Sequence, residues 1–145
     1  EHVRGWAVRL ELEDGKASQV MLANFSRMAR SDSSSRVRLC LASGLQRLPL
    51  QQRWSIAAAL VARGEDAGDQ NLPLMIWYGV EPLIEADPDR ALELVTQSRL
   101  PLSRRHVARR IASLSLEPAT LGPLVQLLGQ SHDPDLQLDV LRGIH

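Results

Sequence analysis

The sequence predicts an all-α chain, a right-handed α-solenoid built from antiparallel helix pairs, about nine helices in all. Three observations predict it. Apolar residues recur at i, i+3, i+4 and i+7 through most of the chain, the spacing of one helix face and not of a strand. Stretches with this spacing open at comparable points: Val3 and Arg4, Val37 and Arg38 (34 residues later), Ser103 to Ser115, then Asp133 and Pro134. A period of about 30–40 residues is that of paired-helix repeats. The connections between stretches are also short, which makes consecutive helices antiparallel neighbours. A closed bundle would show no such period.

The elements follow in order. His2–Leu12 carries Val3, Trp6, Ala7 and Leu10 as its apolar stripe, and Asp14 with Gly15 closes it. Ser18–Arg30 turns Val20, Met21, Phe25, Met28 and Ala29 inward. The run Ser31 to Ser35 supplies a turn and an N-cap for Arg36–Arg47, whose stripe is Val37, Cys40, Leu41, Gly44 and Leu45, with Leu48 beyond it; Pro49 ends this helix. Leu50–Ala62 buries Trp54, Ala57, Ala58 and Val61, and Arg63 with Gly64 stops it. After an acidic loop, Leu72–Glu85 is the most apolar and aromatic helix of the chain, with Gly79 and Pro82 inside it. Pro82 has no N–H to offer the Tyr78 carbonyl and crowds it, which predicts a kink. Asp87 then caps a helix that begins at Pro88 and runs through Thr96. Leu102–Ser115, Pro118–Leu128 and Pro134–Ile144 complete the set, the last opened by Asp133.

Composition fits a single domain over residues 1–145. Hydrophobic residues make up 44%, charged residues 23%, and the formal net charge is +0, which describes a globular chain and argues against a general nucleic-acid or membrane-surface binder. Aromatic content of 3% suits Leu, Ala and Val seams between helices. Lys16 is the only lysine. No basic and apolar leader opens the sequence, and no apolar run is long enough to span a membrane. Both ends read as the interior of a helical pattern, so the expectation is a piece of a longer chain. The single Cys40 sits among core-type residues and reads as a buried structural thiol.

The segments DSSSRVRLCLASGLQRL and HDPDLQLDVLRGI resemble HEAT repeats, in which an Asp-Pro-like turn precedes a second helix of Val-Arg type. Ser33 stands where proline is usual in the first, and Leu138 with Asp139 replaces Val-Arg in the second. A broader resemblance, from about Val3 to about Arg110, rests on VRGWAVRL, VRLCLASGLQRLP and EDAGDQNLPLMIWYGVEPL. Together these are similar to the HEAT-repeat region of large bacterial membrane-bound dehydrogenases, where a β-propeller comes first, the helical repeats follow and a CxxCH haem c domain comes last. The resemblance implies an extracytoplasmic, periplasmic connecting or docking module for redox domains, with no catalytic role and no cofactor of its own. One cysteine cannot make the two haem thioethers.

Candidate sites follow from the departures from plain helix pairing. Glu65, Asp66, Asp69 and Asn71 place four oxygen-bearing side chains within seven residues, the kind of loop that holds hard cations. Their spacing is not that of an EF-hand, and a cap from Asn71 with arginine pairing by Asp66 or Asp69 explains them equally. On the central helix, Trp77 shares a face with Val80 and Ile84 and reads as core, whereas Tyr78, Glu81 and Glu85 adjoin the predicted kink and could present a partner surface. Arg105 and Arg109, one helical turn apart, form a second patch within the basic stripe Arg99, Arg104, Arg105, Arg109 and Arg110, which also holds His106. That stripe carries the alternative reading, a HEAT-like nucleic-acid binder or DNA-glycosylase-type protein. His2, His106, His132 and His145 are too scattered for a zinc site.

Overall fold

The computed structural model describes residues 1–114 and 121–145 and is all-helical over them, with no strand among the described residues. The helices are α1 (His2–Glu11), α2 (Gln19–Ser31), α3 (Ser35–Leu45), α4 (Leu50–Val61), α5 (Leu72–Ala86), α6 (Pro88–Gln97), α7 (Pro101–Ser113), α8 (Gly122–Gln130) and α9 (Pro134–Ile144). One short 3-10 turn, Gly64–Asp66, lies between α4 and α5. The expected starts and stops lie within a few residues of these bounds. The expected start of the eighth helix at Pro118 and end of the seventh at Ser115 lie outside the described residues.

Local chemistry sets the starts. The Ser18 hydroxyl accepts from the Met21 amide at 3.2 Å, and Ser34 accepts from the Val37 amide at 3.4 Å. Asp87 accepts from the Arg90 amide at 3.0 Å, and Asp133 from both Asp135 and Leu136. Each cap removes an orphan N–H of the first turn. Gly15 takes φ +65° between α1 and α2, with the Arg47 carbonyl 3.0 Å from where a β-carbon would stand.

Packing alternates along the chain. Each odd-numbered helix packs on the next odd one, α1 on α3, α3 on α5, α5 on α7 and α7 on α9, while α2 packs on α4 and α4 on α6. Most of the predicted inward residues are buried, including Phe25, Val37, Leu41, Leu45, Trp54 and Ile84. Cys40 is buried too.

The stripe of α1 is the clearest correction. Val3, Trp6 and Leu10 are 82%, 61% and 63% exposed, and Ala7 is exposed as well. The helix instead buries Gly5 and Val8, with Leu12 just beyond its end. The reason is close approach to α3: a β-carbon on Gly5 would lie 3.2 Å from Cys40 Sγ, and Leu12 lies over Gly44. The small residue selects the face that meets α3, and the more apolar side is left without a neighbouring helix among the described residues. Val20 on α2 is likewise 73% exposed, its place inside taken by Leu22.

Gly79 plays the same part between α5 and α3. A β-carbon there would stand 2.6 Å from Leu45 Cβ, and Leu45 is fully buried. Gly79→Ala is therefore expected to destabilise by about 1–3 kcal/mol through overpacking, although alanine in a helix interior is ordinarily worth about 1 kcal/mol over glycine. Gly129→Ala on α8 meets no atom of the described residues within 4 Å and is the control, expected to be neutral or stabilising. Urea unfolding of both variants reads the difference, and a Gly79→Ala variant as stable as the parent would contradict the close packing.

Candidate interaction surface

α5 and α7 lie side by side and carry all five predicted partner-binding residues. α5 runs through Pro82 to Ala86 as one helix, so the ring leaves the Tyr78 carbonyl short of a helical donor without ending the element. Tyr78 is half exposed and projects beside Leu74, which is 38% exposed. Glu81 is partly buried and Glu85 exposed.

The structure brings the acidic helix and the basic helix together through residues the sequence reading did not pair. Arg110 donates to Glu85 across the α5–α7 contact. Trp77 meets His106 edge to face, ring centroids 4.9 Å apart with the planes at 81°. Trp77 is thus half-buried at the helix contact and not wholly within the core. A signal for this pairing was available: Glu81 and Glu85, like His106 and Arg110, are spaced at i, i+4 on facing helices.

Arg105 and Arg109 point the other way, toward α9. Arg105 Nε donates to Asp139 at 2.9 Å, and Arg109 Nε donates to the Gly143 carbonyl at 3.3 Å. Arg104 is buried, its Nε donating to the Ser98 carbonyl at 2.7 Å, with Asp133 and Asp139 at 3.3 and 3.6 Å from its terminal nitrogens. The basic stripe is therefore largely a set of internal tethers. Tyr78, Glu81 and Glu85 form one continuous surface, whereas Arg105 and Arg109 belong to the seam with α9.

Burial pushes the His106 imidazole below its ordinary value of 6.5, Arg109 lowers it further, and Glu81 opposes the shift. His106 Nδ1 is buried without a hydrogen-bond partner among the described residues. A depressed folded pKa means that the unfolded chain binds the proton more readily. Stability is then full above the unfolded value and falls as pH drops toward the folded one. Melting temperature is expected to decline as pH falls below about 6.5, and His106→Gln should flatten that decline. An unchanged slope in the variant would rule out this role.

The acidic loop resolves into structural contacts. Asp66 is 2% exposed and receives both Nε and Nη2 of Arg38, Nε at 2.6 Å, while Arg38 Nη1 reaches the Asp32 carbonyl at 2.7 Å. Glu65 pairs with Arg63. Asp69, and not Asn71, caps α5: its Oδ1 accepts from the Asn71 and Leu72 amides at 2.8 and 2.9 Å. Those two amides hold the Asp69 carboxyl below its usual range. Asn71 stands at the N-cap position with φ −111° and ψ −37°, helical and not extended backbone, and its side chain makes no cap hydrogen bond. Among the described residues no group of three or more His, Cys, Asp or Glu side chains is arranged to hold a metal ion.

The arginine contacts recur along the chain. Arg4 binds Asp32, Arg38 binds Asp66 and Arg104 binds Asp133, at separations of 28, 28 and 29 residues. In each case an arginine near the start of an odd helix reaches the loop that leads into the next odd helix. At the equivalent place on α5 stands Met75, and this link is missing. No helix among the described residues is long and apolar enough to cross a membrane. Comparison of the chain with family models, curated proteins and solved structures returns no match.

Proposed function

We propose that this chain is a non-catalytic helical-repeat module, a right-handed HEAT-like α-solenoid that docks or connects other domains. The serial packing of odd helices on odd and even on even supports the repeat reading, and the recurring arginine–aspartate links at 28–29 residues carry it. Such links tie three of the four odd-helix junctions, and the Arg110–Glu85 pair joins α5 to α7, so the stack presents a surface of fixed shape. The outward face of α5, with Leu74, Tyr78, Glu81 and Glu85, is the partner surface. A half-exposed tyrosine beside an exposed leucine, rimmed by carboxylates, has the make-up of an interface anchor.

The resemblance of Val3 to Arg110 to the repeat region of large bacterial dehydrogenases names the partners: a β-propeller and a haem c domain in an extracytoplasmic protein. The gene sequence on both sides of this segment tests the reading. Propeller repeats upstream and a CxxCH domain downstream are expected. If they are found, the isolated chain should bind the neighbouring domains, and Tyr78→Ala with Glu81→Lys should weaken that binding by about tenfold or more. Flanks of another kind would remove the redox assignment, and unchanged binding would remove the surface.

The nucleic-acid alternative draws on Arg99 to Arg110. Arg104, Arg105 and Arg110 are held by Asp133, Asp139 and Glu85, so few of these cations are free to meet phosphates.

A further inference from the structure

We infer that a second site, the groove between α2 and α4, binds an extended acidic peptide segment. The groove has a volume of 540 Å³ and is lined chiefly by Gln19, Ser26, Arg27, Arg30, Gln51 and Gln52. It lies on the even-numbered helices, away from the α5 surface, so it stands or falls separately from the function proposed above.

Charge makes the first part of the case. Neither α2 (QVMLANFSRMARS) nor α4 (LQQRWSIAAALV) contains an aspartate or glutamate, in a chain whose acidic and basic residues balance overall. Arg27 and Arg30 are exposed on one face of α2, at i and i+3. Arg27 reaches only Asn24 Oδ1 of its own helix, at 3.0 Å. Neither arginine has a carboxylate partner among the described residues. The nearby Asp32 is bound by Arg4 at 2.8 Å. Two unpaired guanidiniums on a face without carboxylates favour an anionic ligand.

Hydrogen bonding narrows the class. Three carboxamides line the groove, and each can both donate to and accept from a peptide bond. The floor is small and already satisfied, with the Ser26 hydroxyl donating to the Ser55 carbonyl at 3.2 Å. Gln52 Oε1 is shielded from water and has no donor among the described residues; a turn of this half-buried amide toward the groove exchanges that cost for a bond to a ligand N–H. A phosphodiester backbone offers acceptors only. A peptide offers backbone N–H groups for Gln52 and carboxylates for Arg27 and Arg30, and so matches both halves of the groove.

Fluorescence anisotropy on the whole 145-residue chain tests this with a labelled Gly-Ser-Asp-Ser-Asp-Ser-Gly peptide at low salt. Its counterpart with asparagine for aspartate, a short oligothymidylate and inorganic phosphate are the other probes. The acidic peptide is expected to bind, and the asparagine peptide to bind about tenfold more weakly or worse. Arg27→Glu with Arg30→Glu should abolish binding. Gln52→Leu, which removes no charge, should weaken it by about threefold to tenfold. Arg142→Glu on the exposed face of α9 should leave it unchanged, and circular dichroism confirms that each variant is folded. Arg27→Gln with Arg30→Gln replaces the charge reversal if that variant loses helix. Equal binding of the asparagine peptide, indifference to Gln52→Leu, or equal or tighter binding of oligothymidylate or phosphate would overturn the proposal, as would no binding at all.

Discussion

Asp66→Asn is expected to destabilise the chain by about 3–5 kcal/mol, because it leaves the Arg38 guanidinium buried beside a neutral amide. Both side chains are almost fully enclosed, at 4% and 2% exposure, and Asp66 receives two guanidinium nitrogens. The same contact holds Arg38 above its ordinary value, through the hydrogen bonds to Asp66 and against the effect of burial. A domain of this size is ordinarily stable by about 5–15 kcal/mol, so one substitution removes a large part of the margin. Arg38→Met should cost a similar amount, since it strands the carboxylate instead. The double variant Arg38→Met, Asp66→Leu should be far less damaged than the sum of the singles, because two apolar groups leave no buried charge unpaired. Urea unfolding followed by tryptophan fluorescence gives all the values. Additive losses would mean that the two residues act independently, against the geometry.

Arg53→Met is the second large effect, at about 2–4 kcal/mol. Arg53 is 8% exposed and has no carboxylate partner among the described residues. Its nitrogens donate instead to the carbonyls of Leu48, Gly79 and Gln46, at 2.8, 3.1 and 3.2 Å. One side chain of α4 thereby closes the end of α3 and grips the middle of α5 at the residue that packs on Leu45. Burial pulls its pKa below the ordinary value for arginine, so the cation itself is costly, and only the three carbonyls offset that cost. Methionine fills the same space but leaves the Gln46 and Leu48 carbonyls without donors. Lysine keeps the charge with one nitrogen in place of the fork and should fall between the two. A neutral Arg53→Met variant would show that desolvation of the cation cancels its hydrogen bonds.

These two arginines also mark where sequence reading stops. Helix periodicity is a property of near neighbours, and all nine described helices were legible from it, together with the caps at Asp87 and Asp133. Which face turns inward depends on what lies opposite. On α1 the hydrophobic count favoured Val3, Trp6 and Leu10, but Gly5 allows α3 to approach and reverses the choice. The acidic loop shows the same limit. Asp66 and Asp69 look alike in sequence, yet one is a buried counter-ion across 28 residues and the other caps the adjoining helix. At the candidate surface, Tyr78, Glu81 and Glu85 could be placed on one side of α5 by spacing alone. The turn of Arg105 and Arg109 toward α9 could not, because Asp139 and Gly143 lie 34 residues away in sequence.

Hydrogen–deuterium exchange on the chain, alone and with whatever further domains its gene is found to encode, tests the docking proposal most directly. The account predicts added protection over Leu74 to Glu85, with α2 and α4 unchanged, and loss of that protection in the Tyr78→Ala, Glu81→Lys variant. Protection elsewhere, or an exchange pattern on α5 that the neighbouring domains do not alter, would contradict it.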